Sequence, residues 1–585
     1  MKQLFVIVMH LDRKNMNLIR KIILLASFVP LVAFGQSKDK PKDNWQNLDL
    51  QRDGVMGIST EKAYELLKGK KSTTVIVAVI DGGVDEEHED LKPVIWKNTA
   101  EIAGNSKDDD KNGYSDDVYG WNFIGSSIGN VRYDNLEVVR LVRTLQDKYS
   151  SVVNSTPLSE EDRKEFTQYK RMVTDYMTRL DNARRGYEGL SVIKKTTEEI
   201  VSKIGKPHPK LKDFERYDAA NETESKVLKV IKSEMKKEPD YKVFKKDIDD
   251  TYKYYSAQVN YHLNIDFDPR DSVKDNYADA YQKNYGNSDI TGPDAEHGTH
   301  VAGIIAAVRG NGKGINGIAD NVRIMGVRTV PDGDERDKDV ANAIRYAVDN
   351  GAKVINMSFG KGYVWNKSAV DSAVKYAEAK DVLLVHAAGN DGKNTDVEPN
   401  YPNRIYGDIS SRPRPQIDLQ ANSLPGGMNS GRPLSLPKFE QDTTRFTLPR
   451  AANWIEVGAS DWKNDENLVA SFSNYGKRSV DVFAPGVKVN STIPGSEYKP
   501  NDGTSMASPV VAGLAALIRS YYPALTAVQV KDIIMKSVTK VDRKVKIKED
   551  GSSKKVKLDE ISISGGVVNA YSAMQLAAKV SSTRH

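Results

Sequence analysis

Val75-Ile76-Val77-Ala78-Val79-Ile80 is an unbroken apolar run, mostly β-branched, and it ends at Asp81-Gly82-Gly83. Apolar residues with no polar alternation are the pattern of a strand buried on both faces of a parallel sheet. Similar runs recur at residues 324–327, 354–357 and 382–387, with helical patterns between them at 339–348 and 366–379. Strands alternating with helices predict a doubly wound, mostly parallel α/β sheet. In such a sheet the ligand site lies at the carboxyl ends of the strands, which is where Asp81 stands.

Two stretches break the alternation. Residues 130–286 are rich in Lys, Glu, Asp and Tyr and read as a helical insertion. Phe166, Tyr169, Val173, Tyr176 and Leu180 recur at helical steps and form one apolar stripe. Ser159 with Asp162 is a loose capping box, and a second helix is predicted near 223–235. Residues 404–450, rich in Pro, Ser, Gly and Arg, read as a long loop. Residues 36–73 read as a lead-in segment that packs against the α/β domain, which is expected to span 74–129 and 287–580.

The chain has 585 residues, 39% of them hydrophobic, enough for a large core. Its net charge of +5 is spread over both signs, and no basic block with interleaved aromatics suggests a nucleic-acid partner. It has no cysteine, which excludes disulfides, thiolate metal sites, a cysteine nucleophile and a lipoprotein anchor. Arg20 and Lys21 precede an apolar run over 22–34, and Ala33-Phe34-Gly35 offers small residues for cleavage before Gln36. Residues 1–35 therefore read as an export signal, with Met16 as an alternative start. The run is too short for a stable membrane span, and the mature chain is expected to be periplasmic or extracellular.

Four short segments carry the chemistry: Asp81-Gly82-Gly83, His297-Gly298-Thr299-His300-Val301-Ala302-Gly303, Ala387-Ala388-Gly389-Asn390, and Gly503-Thr504-Ser505-Met506-Ala507-Ser508-Pro509. Each has an ordinary reading when taken alone. An aspartate at a strand end is often a turn residue, a histidine pair packs or binds metal, and a Gly-Thr-Ser turn starts a helix. In the order Asp, His, Ser they combine into a nucleophile, a base and an orienting carboxylate.

All four segments resemble the subtilisin-like serine proteases, over roughly residues 45–123 and 284–578. The resemblance implies that Ser505 is the nucleophile, that His297 is the general base, and that Asp81 holds the imidazole tautomer. It implies that Asn390 and the Ser505 N–H bind the oxyanion, and that Ser358-Phe359-Gly360 pairs with substrate backbone. His300 is assigned packing or a structural hydrogen bond, and Ser508 matches the second serine of the motif, not the nucleophile.

Asp108-Asp109-Asp110-Lys111-Asn112-Gly113-Tyr114-Ser115-Asp116-Asp117 reads as the front half of a calcium loop, with oxygens at alternate positions and glycine sixth. The ligands expected are Asp108, Asp110, Asn112 and Asp116; Tyr119 stands where the closing glutamate belongs, and an acidic turn without metal is the rival reading. Asp90 and Asn311 match a second calcium site of the family, although the loop around Asn311 carries an extra residue. Structural Ca2+ is the one cofactor implied, and the chemistry itself requires none.

The function expected is a secreted serine endopeptidase of broad specificity acting on polypeptides. The rivals are a narrow processing protease gated by the helical insertion, and a non-catalytic binding protein that engages a partner through it.

Overall fold

Val75–Asp81 lies inside a nine-stranded sheet in the computed structural model, which describes residues 40–153, 156–407, 446–549 and 552–583. The expected export signal lies outside these residues, as does most of the expected 404–450 loop. From edge to edge the strands are Thr539–Lys540, Gly566–Val567, Val482–Pro485, Trp454–Ser460, Leu383–Ala387, Val354–Met357, Val75–Asp81, Val322–Arg328 and Gly120–Asn122. Every pairing in it is parallel except that of the two short strands at the first edge. Helices alternate with the strands, and the fold is α/β as the apolar runs predict.

The register explains the composition of the first strand. Val75 pairs with Val322 and Asp81 with Arg328 on one side, while Val77 pairs with Val354 and Ile80 with Met357 on the other. Val77, Ala78, Val79 and Ile80 are buried completely. Full burial of each larger side chain is worth about 1.5–3 kcal/mol, which a polar residue on either face would forfeit. Other strands of the sheet carry no comparable apolar run, among them Gly120–Asn122 and Trp454–Ser460. In the second of these Glu456 is buried, its carboxylate taken by Trp454 Nε1 at 2.8 Å and His386 Nδ1 at 2.9 Å.

The lead-in segment contributes Trp45, Ile58, Ala63 and Leu67 to the hydrophobic cluster that includes Val77, Val79 and the Ser505 helix. That helix, Thr504–Tyr521, is buried along nearly its whole length. Gly513 lets it press on Ile318, whose Cβ lies 2.7 Å from where a Gly513 Cβ would stand.

Val138–Asp268 forms a separate compact unit. Its main element is one helix, Glu160–Ile204, started by the Ser159 hydroxyl accepting from the Asp162 N–H at 3.0 Å and ended by Gly205 in the left-handed region. The buried stripe runs through Phe166, Tyr169, Met172, Tyr176 and Leu180. Met172 replaces the expected Val173, which is only half-buried. The second helix is Glu222–Lys237, capped by Asn221, and a third, Tyr241–Ala257, packs beside the long one.

This unit is narrower than the 130–286 read from composition, because the polar residues on both flanks are buried against the sheet unit. Arg336 clasps Asp134 at 2.6 Å, while Arg270 bridges Asp275 at 2.7 Å and Asp339 at 2.6 Å. Such charges read as solvated in the sequence, and burial in pairs reverses that reading.

Candidate active site

Asp81 ends its strand, Ser358 and Asn390 stand just past the carboxyl ends of theirs, and two helix starts bring His297 and Ser505 to the same edge. The His297 helix, Glu296–Ala306, can approach because residue 298 is glycine. A Cβ there would lie 2.1 Å from the Gly83 carbonyl and 3.0 Å from Asp81 Cβ. With that contact made, His297 Nδ1 sits 2.8 Å from Asp81 Oδ1, which also accepts the Gly82 N–H at 2.7 Å. Asp81 is buried, whereas the His297 side chain is 44% exposed. Removal from water works to lower the His297 pKa, and the Asp81 carboxylate, helped by Asp294 and Glu296, raises it by more. The net direction is upward.

Ser505 is the second residue of its helix. Its hydroxyl donates to the Ser358 carbonyl at 3.0 Å, and the Ser358 hydroxyl donates to the Ser505 carbonyl at 2.9 Å. Pro509 accounts for the second bond: it has no N–H to give the carbonyl four residues back, so that oxygen is free for Ser358. The network continues inward, with Asn356 Nδ2 donating to Ser358 Oγ at 2.9 Å and Ser508 Oγ to Asn356 Oδ1 at 2.8 Å. Ser508 is fully buried and structural.

Asn390 is fixed through its oxygen, which accepts from the Thr504 N–H at 2.8 Å and the Thr504 hydroxyl at 2.9 Å. Its amide nitrogen is thereby aimed. Gly503, at φ 153°, shows where: a Cβ on it would stand 3.5 Å from Asn390 Nδ2 and 3.5 Å from the Ser505 nitrogen. The two nitrogens thus lie about one point near Ser505, at a helix start where N–H groups have no intrahelical partner.

Thr504, within the quoted serine segment, and Asn474, which lies in no segment that sequence reading singled out, hold this arrangement. Buried Asn474 donates to the Ala388 carbonyl at 2.8 Å and accepts from the Asp391 and Lys393 N–H groups at 3.1 and 2.9 Å. Arg328 is another. It is buried, its pKa pushed down to about 10 by that burial, and it donates to the Gly82 carbonyl at 2.8 Å. Phe359 is half-buried and Gly360 exposed. Among the described residues neither main chain has a hydrogen-bond partner, whereas the next residue, Lys361, exchanges both its main-chain bonds with Tyr401 at 2.9 Å. His300 lies apart from the triad residues, bonded to the Lys499 carbonyl at 2.8 Å and kept neutral by burial, which lowers its pKa to about 4.

The acidic loop differs from the expected calcium loop. Asp108 accepts from the Asn112 and Gly113 N–H groups at 3.0 and 2.8 Å, and Asp116 from those of Asn105 and Ser106 at 3.2 and 2.7 Å. Asn112 donates its side chain to Asp110 and Asp117. These groups close the loop on itself. The carboxylates that converge are Glu101, Asp110 and Asp117, with ligand atoms within 4.8 Å of one another. Of the four residues read as ligands, only Asp110 is among them; Glu101 lies before the loop, outside any fixed spacing. Asp90 and Asn311 do meet, at 2.6 Å, with Tyr498 OH 3.4 Å from the carboxylate.

The chain is thus an α/β protein whose mostly parallel sheet carries an Asp–His pair and a serine at a helix start along its carboxyl edge. Residues 72–555 match the model of the subtilase family, and the chain belongs to that family, the subtilisin-like serine endopeptidases. It is 40% identical over 225 residues to a thermophilic serine proteinase of Bacillus sp. (strain AK1), covering 38% of this chain and 42% of that protein. It is 37% identical over 255 residues to thermitase of Thermoactinomyces vulgaris, covering 42% and 72%. With subtilisin BL of Lederbergia lenta the identity is 32% over 244 residues, covering 42% and 70%. The chain thus spans less than half the length of the first of these relatives. No helix of the described residues is long and apolar enough to cross a membrane.

Proposed function

We propose that this chain is an exported serine endopeptidase of broad specificity. The observation that carries the reading is the 2.8 Å contact of His297 Nδ1 with Asp81 Oδ1 at the same sheet edge where Asn390 Nδ2 and the Ser505 nitrogen each lie 3.5 Å from one point, the Cβ position at Gly503. Ser505 Oγ attacks the peptide carbonyl as His297 takes its proton; the oxyanion forms between the two donors. His297 then returns the proton to the leaving amine, and Asp81 keeps Nδ1 protonated throughout. The main chain of Phe359 and Gly360, without hydrogen-bond partners among the described residues, supplies an edge on which a substrate strand can add, and recognition through main-chain groups is shared by all sequences.

The test is hydrolysis of casein, abolished by a serine-directed phosphonyl fluoride that leaves one adduct, on Ser505. The rate should also fall in acid. General-base catalysis needs neutral His297, and its pKa is raised, so the acid limb should have its midpoint above the ordinary histidine value of about 6.5. An adduct elsewhere, or no cleavage, would refute the assignment.

The same reading includes a structural cation. Glu101, Asp110 and Asp117 form a set of hard oxygen donors, and burial pushes Asp117 up to about 6, a cost that a bound cation would offset. Calcium bound only by the folded chain stabilises it by about 2.7 kcal/mol at a hundredfold excess over its Kd. A chelator should therefore lower the Tm, and Asp110→Ala should remove that response; identical melts with and without chelator would end the cation claim.

A further inference from the structure

The segment that carries Ser358, Phe359 and Gly360 runs into a lysine whose charge is buried. The Lys361 side chain is 1% exposed, and its ammonium lies 2.7 Å from Glu137 Oε2, 2.7 Å from Asp337 Oδ1 and 2.8 Å from the Glu335 carbonyl. Both carboxylates are buried as well, at 1% and 5%. Each is fixed in turn. Asp337 Oδ2 accepts from the Trp365 and Asn366 N–H groups at 2.7 Å, and the Glu137 N–H donates to Asp334 Oδ2 at 2.7 Å.

A desolvated ion cluster is a poor way to gain stability, since apolar side chains of similar volume do as well or better. What it adds is geometry: three chain segments are locked at distances that a flexible apolar contact would not define. The locked lysine also has both main-chain groups bound to Tyr401. Its side chain and main chain therefore anchor one end of the Phe359–Gly360 main chain, for which no hydrogen bond is formed among the described residues. The partner Glu137 is the last residue before the helical unit, which starts at Val138.

We propose that Lys361 is a positioning residue: held by Glu137 and Asp337, it sets the Phe359–Gly360 main chain to receive a substrate strand. The proposal rests on the peptidase reading above. It predicts a defect in strand pairing alone, because Lys361 touches none of the reacting groups.

The experiment compares two substrates on Glu137→Gln, which keeps the shape of the side chain and removes its charge. One is an acylated tetrapeptide amide, long enough to pair with the edge; the other is a single-residue ester, which is not. KM for the tetrapeptide should rise about tenfold with kcat within about twofold, while ester hydrolysis changes by less than about twofold. Lys361→Arg keeps the charge with different reach and carries the same expectation, with a smaller rise, and it serves if the first variant does not fold. A folded variant with a lower Tm but an unchanged tetrapeptide KM would show a merely structural role and overturn the proposal. Failure of the unsubstituted chain to cleave either substrate would instead overturn the peptidase reading.

Discussion

Ser505→Ala should lower kcat on the order of a millionfold. The size follows from what surrounds the position. No neighbouring hydroxyl can replace the lost nucleophile: Ser508 is buried and committed to Asn356, Thr504 donates to Asn390, and Ser358 donates to the Ser505 carbonyl. His297→Ala should cost about as much, and the double variant no more than either, because the two act as one unit. A residual rate of about 10³–10⁴ over water should survive in each, supplied by the oxyanion donors and substrate binding. Stability is a separate matter. Ser505→Ala removes one neutral hydrogen bond, to the Ser358 carbonyl, worth about 0.5–1.5 kcal/mol, so the melt should shift by only a few degrees. Initial rates on a chromogenic peptide decide it: a Ser505→Ala protein within about tenfold of the unsubstituted chain would remove serine from the mechanism.

The parts of this molecule that were legible in its sequence are those where one residue type has one common use. Val75–Ile80 has no polar face, so it has no solvated side, and its place inside a parallel sheet followed. Asp81, His297 and Ser505 sit in short motifs whose order suffices to suggest their contact, and the first two do meet. What was not legible depends on partners far along the chain. Glu456 makes Trp454–Ser460 look unlike a buried strand until His386 and Trp454 are seen to take its carboxylate. Lys361, Arg270 and Asp339 carry charges that read as surface, and only tertiary pairing shows them inside. Asp108 and Asp116 fit a ligand spacing, yet a carboxylate can serve its own loop as readily as a metal, and here both close turns. Glu101 has no local signal, because its place beside Asp110 and Asp117 is created by the folding of the loop.

Asn390→Ala should lower kcat about a hundredfold to a thousandfold and leave KM nearly unchanged. The argument starts from the fixed oxygen. With Oδ1 held by both donors of Thr504, the amide plane cannot turn, and Nδ2 faces the point it shares with the Ser505 N–H. A ground-state carbonyl oxygen gains little from that donor, because it carries little charge and lies short of the point; the oxyanion gains most, since its charge develops where the donors already aim. An interaction made only in the transition state appears in kcat and not in KM. Asn390→Asp sharpens the test. The carboxylate keeps both bonds from Thr504 and nearly the same shape, but offers no donor and sets a negative charge against the oxyanion, so its kcat should fall at least as far as that of the alanine variant. Thr504→Val should give a smaller loss, because one of the two bonds that aim the amide remains. If Asn390→Ala instead raises KM with kcat intact, the side chain shapes the substrate pocket, and the Ser505 N–H is left as the one donor at that point.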